Sequence, residues 1–196
     1  MIYSSLTCMC FVFSLTTSFP VENEYEGGYY WREFNGVIPQ DALPGGINSD
    51  GETTYIGQVF SKDLVIPAKI DIVNSSVSYE WGYEEFFVDE NIKILCAKYP
   101  QQFLWLSTGN GLLGQLKDKH LIVGGYEEDA NIYIGRIQLD NELSLGKVIN
   151  GSTQATLNTI KDGKGIQHSA FQILSYNPRI PHKDNSDGCQ VVVNIF

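Results

Sequence analysis

Positive charge is scarce in this chain: 13 Lys and Arg stand against 23 Asp and Glu, for a formal net charge of −10. That sign repels a phosphate backbone and an anionic membrane, which argues against nucleic acid and acidic lipid as partners. Histidine is equally rare. His120, His168 and His182 fall at no metal-ligand spacing, so neither a metal nor another cofactor is expected. No apolar run after the N-terminal segment is long enough to cross a bilayer as a helix. Sustained 3.6-residue periodicity is missing too, which removes the amphipathic helix as the building unit. Cysteine is limited to Cys8, Cys10, Cys96 and Cys189, too few for a disulfide framework once the first two are set aside.

What is present describes a folded, strand-rich chain. Hydrophobic residues make up 43% and charged residues 18%, a globular balance. Aromatic content of 12% with 19 glycines suits short strands and tight turns. Residues 1–18 read as a signal peptide: an apolar core over 6–15 is followed by Thr16, Thr17 and Ser18. A secreted, extracellular location follows as the expectation. The two remaining cysteines leave two arrangements open, one Cys96–Cys189 bridge or two buried thiols. Asn74-Ser75-Ser76 and Asn150-Gly151-Ser152 match the N-glycosylation pattern, so Asn74 and Asn150 are candidate acceptors.

The organising feature is an internal repeat. Gly45-Gly46, Tyr55-Ile56-Gly57 and Lys69 recur as Gly124-Gly125, Tyr133-Ile134-Gly135 and Lys147; the tyrosines and the lysines are each 78 residues apart. Between these landmarks run short apolar-polar segments with turn residues every 8 to 12 positions, the pattern of a sandwich or barrel. The expected fold class is all-β, two tandem repeats packed as a pseudo-symmetric β-sandwich or barrel around one core. The expected divisions are a signal peptide at 1–18, a polar leader at 19–28, repeat one at 29–100, repeat two at 101–177, and a tail at 178–196 with a final strand. Pro67 falls inside an expected strand and cannot donate to a ladder, so that strand is expected at an edge or bulged there.

Some local patterns mislead. Gly109, Gly111 and Gly114 spell G-x-G-x-x-G, but the next apolar strand begins at Leu121, leaving no room for the helix a dinucleotide site needs. Asn48-Ser49-Asp50-Gly51-Glu52 looks like a calcium loop but lacks its spaced acids and distal glutamate; a turn is the better reading. No G-x-S-x-G occurs. A carboxylate pair is always available among 23 acids and carries little weight.

Trp31, Pro39, Ala42, Gly45-Gly46, Tyr55-Ile56-Gly57 and Pro67-Ala68-Lys69, in that order, resemble the DM9 repeat family. The second copy keeps Trp105, Gly124-Gly125, Tyr133-Ile134-Gly135-Arg136 and Gly146-Lys147. The resemblance spans nearly all of residues 30–176. It implies a compact β fold and a non-enzymatic protein. Some members are mannose-binding lectins of invertebrate innate immunity, and some dimerise, so mannose-type glycans and a homodimer are the implied partners. An acidic residue just after the Gly-Gly and the lysine ending the second strand hold the sugar in a lectin of this family. Carried over, these are Glu127 with Lys147, and Asn48, or Asp50 nearby, with Lys69. Asn48 departs from the pattern by putting an amide where a carboxylate is expected, which weakens the first site.

The chemistry fits a sugar. A carboxylate accepts from vicinal hydroxyls and an ammonium donates to their lone pairs, while Tyr126 or the 83–87 loop supplies an aromatic platform. Read this way, Lys147→Ala abolishes sugar binding and leaves the fold intact; the plainer reading of Lys69 and Lys147 is a solvated, exposed strand end making a surface salt bridge. The alternative is a non-catalytic protein- or membrane-interaction module, since similar repeats occur beside toxin modules.

Overall fold

The computed structural model describes residues 27–127, 130–150 and 154–181. The signal peptide, the leader as far as residue 26, His182, Cys189 and the expected last strand lie outside these residues, as do Gly151 and Ser152 of the second glycosylation pattern.

The first copy contributes β1 (Tyr29–Glu33), β2 (Pro44–Ile47), β3 (Thr53–Ser61), β4 (Leu64–Asp71), β5 (Ser76–Trp81), β6 (Glu84–Phe87) and β7 (Ile92–Ala97). The second contributes β8 (Phe103–Gly109), β9 (His120–Leu121), β10 (Val123–Glu127), β11 (Ala130–Leu139), β12 (Glu142–Asn150), β13 (Ala155–Lys161), β14 (Lys164–His168) and β15 (Ala170–Tyr176). β9 is matched in the first copy by the single bridge Ala42–Cys96. The described residues contain no α-helix, only 3-10 turns at Pro100–Gln102 and Leu113–Leu116. Tight turns follow from their residues: Lys62-Asp63, Gly82-Tyr83 and Asp162-Gly163 all take positive φ, the hairpin geometry that matches strand twist.

All pairings are antiparallel, and the two copies are laced through one another. Eight strands close into a barrel in the order β3-β2-β12-β13-β14-β6-β5-β4. β10 and β11 form a second path from β4 to β12. Each copy thus lends its Gly-Gly strand to the other. β2 pairs with β12 at Ile47–Leu143 and β10 pairs with β4 at Val65–Tyr126. Side chains fasten the exchange in matching positions: Gln58 Nε2 donates to Gly124 O at 3.0 Å, and Arg136 Nη1 donates to Gly45 O at 3.2 Å. Arg136 also lies 4.1 Å over the Trp105 ring, and burial lowers its pKa to about 10.

Pro67 sits in an interior strand, not at an edge. It stands where β4 changes partner, from β10 at Val65 to β5 at Lys69, so its missing N–H falls at the branch.

The single expected core is three clusters. Strand alternation sends one face of β3 and β11 to the centre and the other outward. Ile56 and Ile134 join Leu43, Leu95, Ile122, Leu145 and Leu174 in a central cluster drawn from both copies, with Trp31 and Trp105 packed against it. Val59 belongs to a flanking cluster of the first copy, and Tyr133 and Ile137 pack on one of the second. Cys96 is fully buried; that burial, with Asp41 beside it, raises its thiol pKa to about 11.

Candidate functional site

Lys147 lies in β12 opposite Ile134 on one side and Asn158 on the other. This is an interior strand position and not an exposed strand end. Its side chain is 4% exposed. Nζ lies 3.0 Å from Glu127 Oε1, 3.2 Å from Glu80 Oε2 and 4.9 Å from the centre of the Trp81 ring. A lysine so placed is held by desolvated charge pairs, which are costly to break.

Glu80 comes from β5, in the other copy, and is itself buried. Its Oε1 accepts the backbone N–H of Tyr83 at 2.7 Å, and its Oε2 also accepts from Asn158 Nδ2 at 3.3 Å. The Tyr83 bond closes the Gly82-Tyr83 turn with Tyr83 at φ 65, a strained conformation for an aromatic residue that needs support from its surroundings. The corresponding turn of the second copy ends in Gly163. Gly165 lets β14 approach: a Cβ there would lie 2.8 Å from Tyr83 Cα and 2.9 Å from Glu80 Cγ. Glu80 therefore fixes the turn that presents Trp81 and Tyr83 beside Lys147.

Together these residues line an open cleft of about 480 Å³, whose walls include Glu80, Trp81, Tyr83, Glu127, Lys147 and Asn158. Asn150 is also on its wall, exposed at the end of β12. Tyr126 is half-exposed on β10, but the cleft is walled by Trp81 and Tyr83.

The first-copy residues are arranged differently. Lys69 is one-fifth exposed and lies 3.9 Å from Glu142. Asn48 does not meet it. The Asn48 amide donates to Asp71 Oδ2 at 3.0 Å and its Oδ1 accepts the N–H of Asp50 at 3.1 Å and of Glu52 at 2.9 Å. Asn48 is an organiser of its turn, 4% exposed, and Asp50 is exposed on that turn. Asn74 is on the next turn, with its amide on Asp71 Oδ2 at 2.9 Å. Register explains the rest. Ser78 faces Lys69 as Asn158 faces Lys147, so Ile160 occupies the place of Glu80 and Lys161 that of Trp81.

Asp71 anchors this first turn cluster. Burial alone would raise its pKa, but the side-chain amides of Asn48 and Asn74, the Asn74 backbone N–H and the charge of Lys69 outweigh it and hold it below 3.8. Its folded pKa is thus below the unfolded one. The stability it contributes is full above the unfolded value and is lost as pH falls through the folded one. Asp71→Asn is expected to cost about 1–3 kcal/mol at neutral pH and to flatten the loss of stability below about pH 4. Urea denaturation across that range checks it; an acid limb unchanged in slope would contradict it.

Sequence comparison alone missed Glu80. The only local signal is the E-W-G-Y run over 80–83, an acid and an aromatic beside a hairpin turn.

Seven chains of solved structures match this one. One is the nematode sperm cell motility protein MFP2B, with a TM-score of 0.54 and 11% identity. The match covers 79% of this chain and 48% of that one, so this chain spans about half its length. At that identity the likeness is one of fold. No curated protein matches the chain. The DM9 repeat model matches residues 48–162, more than half of the 196 residues. That stretch runs from the Asn48 turn to the end of β13 and takes in the closed barrel except β2 and β14. The chain belongs to the DM9 repeat family.

Proposed function

We propose that the protein is a non-catalytic carbohydrate-recognition protein that binds mannose-type glycans in the Glu127–Lys147 cleft, acting outside the cell in recognition of the innate-immune kind. The observation that supports this most is the Lys147–Glu127 pair at 3.0 Å beside Trp81 and Tyr83. It offers an acceptor, a donor and apolar ring faces within one cleft, as a pyranose requires. Glu127, 11% exposed, is the more accessible of the pair, and Lys147 forms the floor. The leader-like residues 1–18 support the extracellular placement. The Lys69 site is the weaker one in this reading, because Asn48 is spent on its own turn.

Glu127→Gln keeps the shape and removes the charge. It is expected to weaken glycan binding about tenfold, the loss of one charge-assisted hydrogen bond, with a smaller fall in melting temperature than removal of Lys147 causes, because Lys147 keeps Glu80 as its counter-ion. A glycan array competed with free mannose, followed by titration of the variant, is the measurement. A blank array from folded protein would replace the lectin reading with the protein-interaction one.

A further inference from the structure

We propose that the cleft takes a hexose carrying a protonated amino group in preference to its neutral parent. The inference rests on the carbohydrate-binding reading and names the ligand class more narrowly.

The charges do not cancel. Two carboxylates, Glu80 and Glu127, face a single ammonium, and all three side chains are largely buried, at 4%, 11% and 4% exposure for Glu80, Glu127 and Lys147. A cleft with one surplus negative charge, on a chain of net charge −10, favours a ligand that brings a positive one.

The open hydrogen-bonding capacity has the same bias. Glu80 accepts from Tyr83 N on Oε1 and from Lys147 and Asn158 on Oε2. Glu127 uses only Oε1 among the described residues. Asn158, 5% exposed and on the cleft wall, has its amide oriented by donation to Glu80, and its Oδ1 is buried with no hydrogen-bond partner among the described residues. The groups left over are acceptors, whereas two of the three N–H groups of Lys147 are committed. A hydroxyl brings one proton and no charge; an ammonium brings three and the missing charge.

The aromatic walls reinforce this. Trp81 already carries Lys147 Nζ at 4.9 Å and Lys62 Nζ at 5.6 Å from its ring centre, so the ring that can receive a ligand cation is Tyr83, 58% exposed. The Lys69 region does not repeat the arrangement, since Ile160 replaces Glu80.

The test is calorimetric titration of the full chain with D-mannose, D-mannosamine and N-acetyl-D-mannosamine, at a pH where the free amine is protonated. Mannosamine is expected to bind about tenfold tighter than mannose, and the N-acetyl sugar no tighter than mannose. Glu127→Gln, shown by melting to be folded, is expected to abolish the preference. Equal or weaker binding of mannosamine while mannose binds would overturn the inference and leave the lectin reading standing. A preference that survives Glu127→Gln would place the amine elsewhere on the acidic surface and overturn it too. Absence of binding by all three sugars would overturn both.

Discussion

Lys147→Ala is expected to destabilise the protein by about 3–5 kcal/mol, because it leaves Glu80 and Glu127 buried without their counter-ion. At this chain length that is a fall in melting temperature of roughly 6–20 °C. The expectation reverses the one that sequence alone suggests, in which the lysine is a dispensable ligand residue. Glu80 is the reason. It is 4% exposed, shares Lys147 with Glu127 and also holds the Tyr83 turn, so the cost reaches two strands and a hairpin. Loss of sugar binding in Lys147→Ala would therefore say little about ligand contact; Glu127→Gln is the informative change. A Glu80→Gln/Lys147→Met double variant is expected to recover part of the loss, since removing both charges relieves the desolvation that removing one exposes. Urea denaturation of the single and double variants measures this. A Lys147→Ala cost below about 1 kcal/mol, the range of a surface pair, would mean the triad is solvated.

A second large effect is expected at the Gly-Gly pairs. A Cβ on Gly46 would overlap the carbonyl oxygen of Leu143, and one on Gly125 the carbonyl oxygen of Val65. Those carbonyls belong to the strand of the other copy, on the exchange seam, and backbone cannot swing aside as a side chain can. Gly46→Ala and Gly125→Ala are each expected to cost about 3 kcal/mol or more by prising β2 from β12 or β10 from β4. Gly51→Ala is the control. Its φ is +83 with nothing within 4 Å of the added carbon, so only the local conformational strain of about 1–2 kcal/mol applies. Yield of folded protein and melting temperature distinguish them. Equal stability of Gly125→Ala and Gly51→Ala would mean that the two copies do not approach as closely as the seam requires.

Much of the fold was legible before any coordinates. Turn residues every 8 to 12 positions, the short apolar-polar segments between them and the recurrence of Tyr-Ile-Gly all act locally, through backbone conformation and strand period. They are written in consecutive residues. The pairing of Lys147 with the acid after the second Gly-Gly was also expected, from resemblance. Asn48 was legible only as a departure. Nothing near it in the sequence shows that its amide is committed to Asp71, 23 residues away.

By itself, then, the sequence determined a two-copy, all-β chain with a lysine at the same place in each copy. The tertiary structure decided how the copies interleave and which lysine sits in a charged cleft. The physical reason is that a barrel closed through exchanged strands brings β5 of one copy against β12 and β13 of the other. Glu80 then meets Lys147 across 67 residues of chain. The repeat cannot announce that contact, because the matching position in the second copy is Ile160, and an apolar side chain there leaves Lys69 to a looser partner, Glu142.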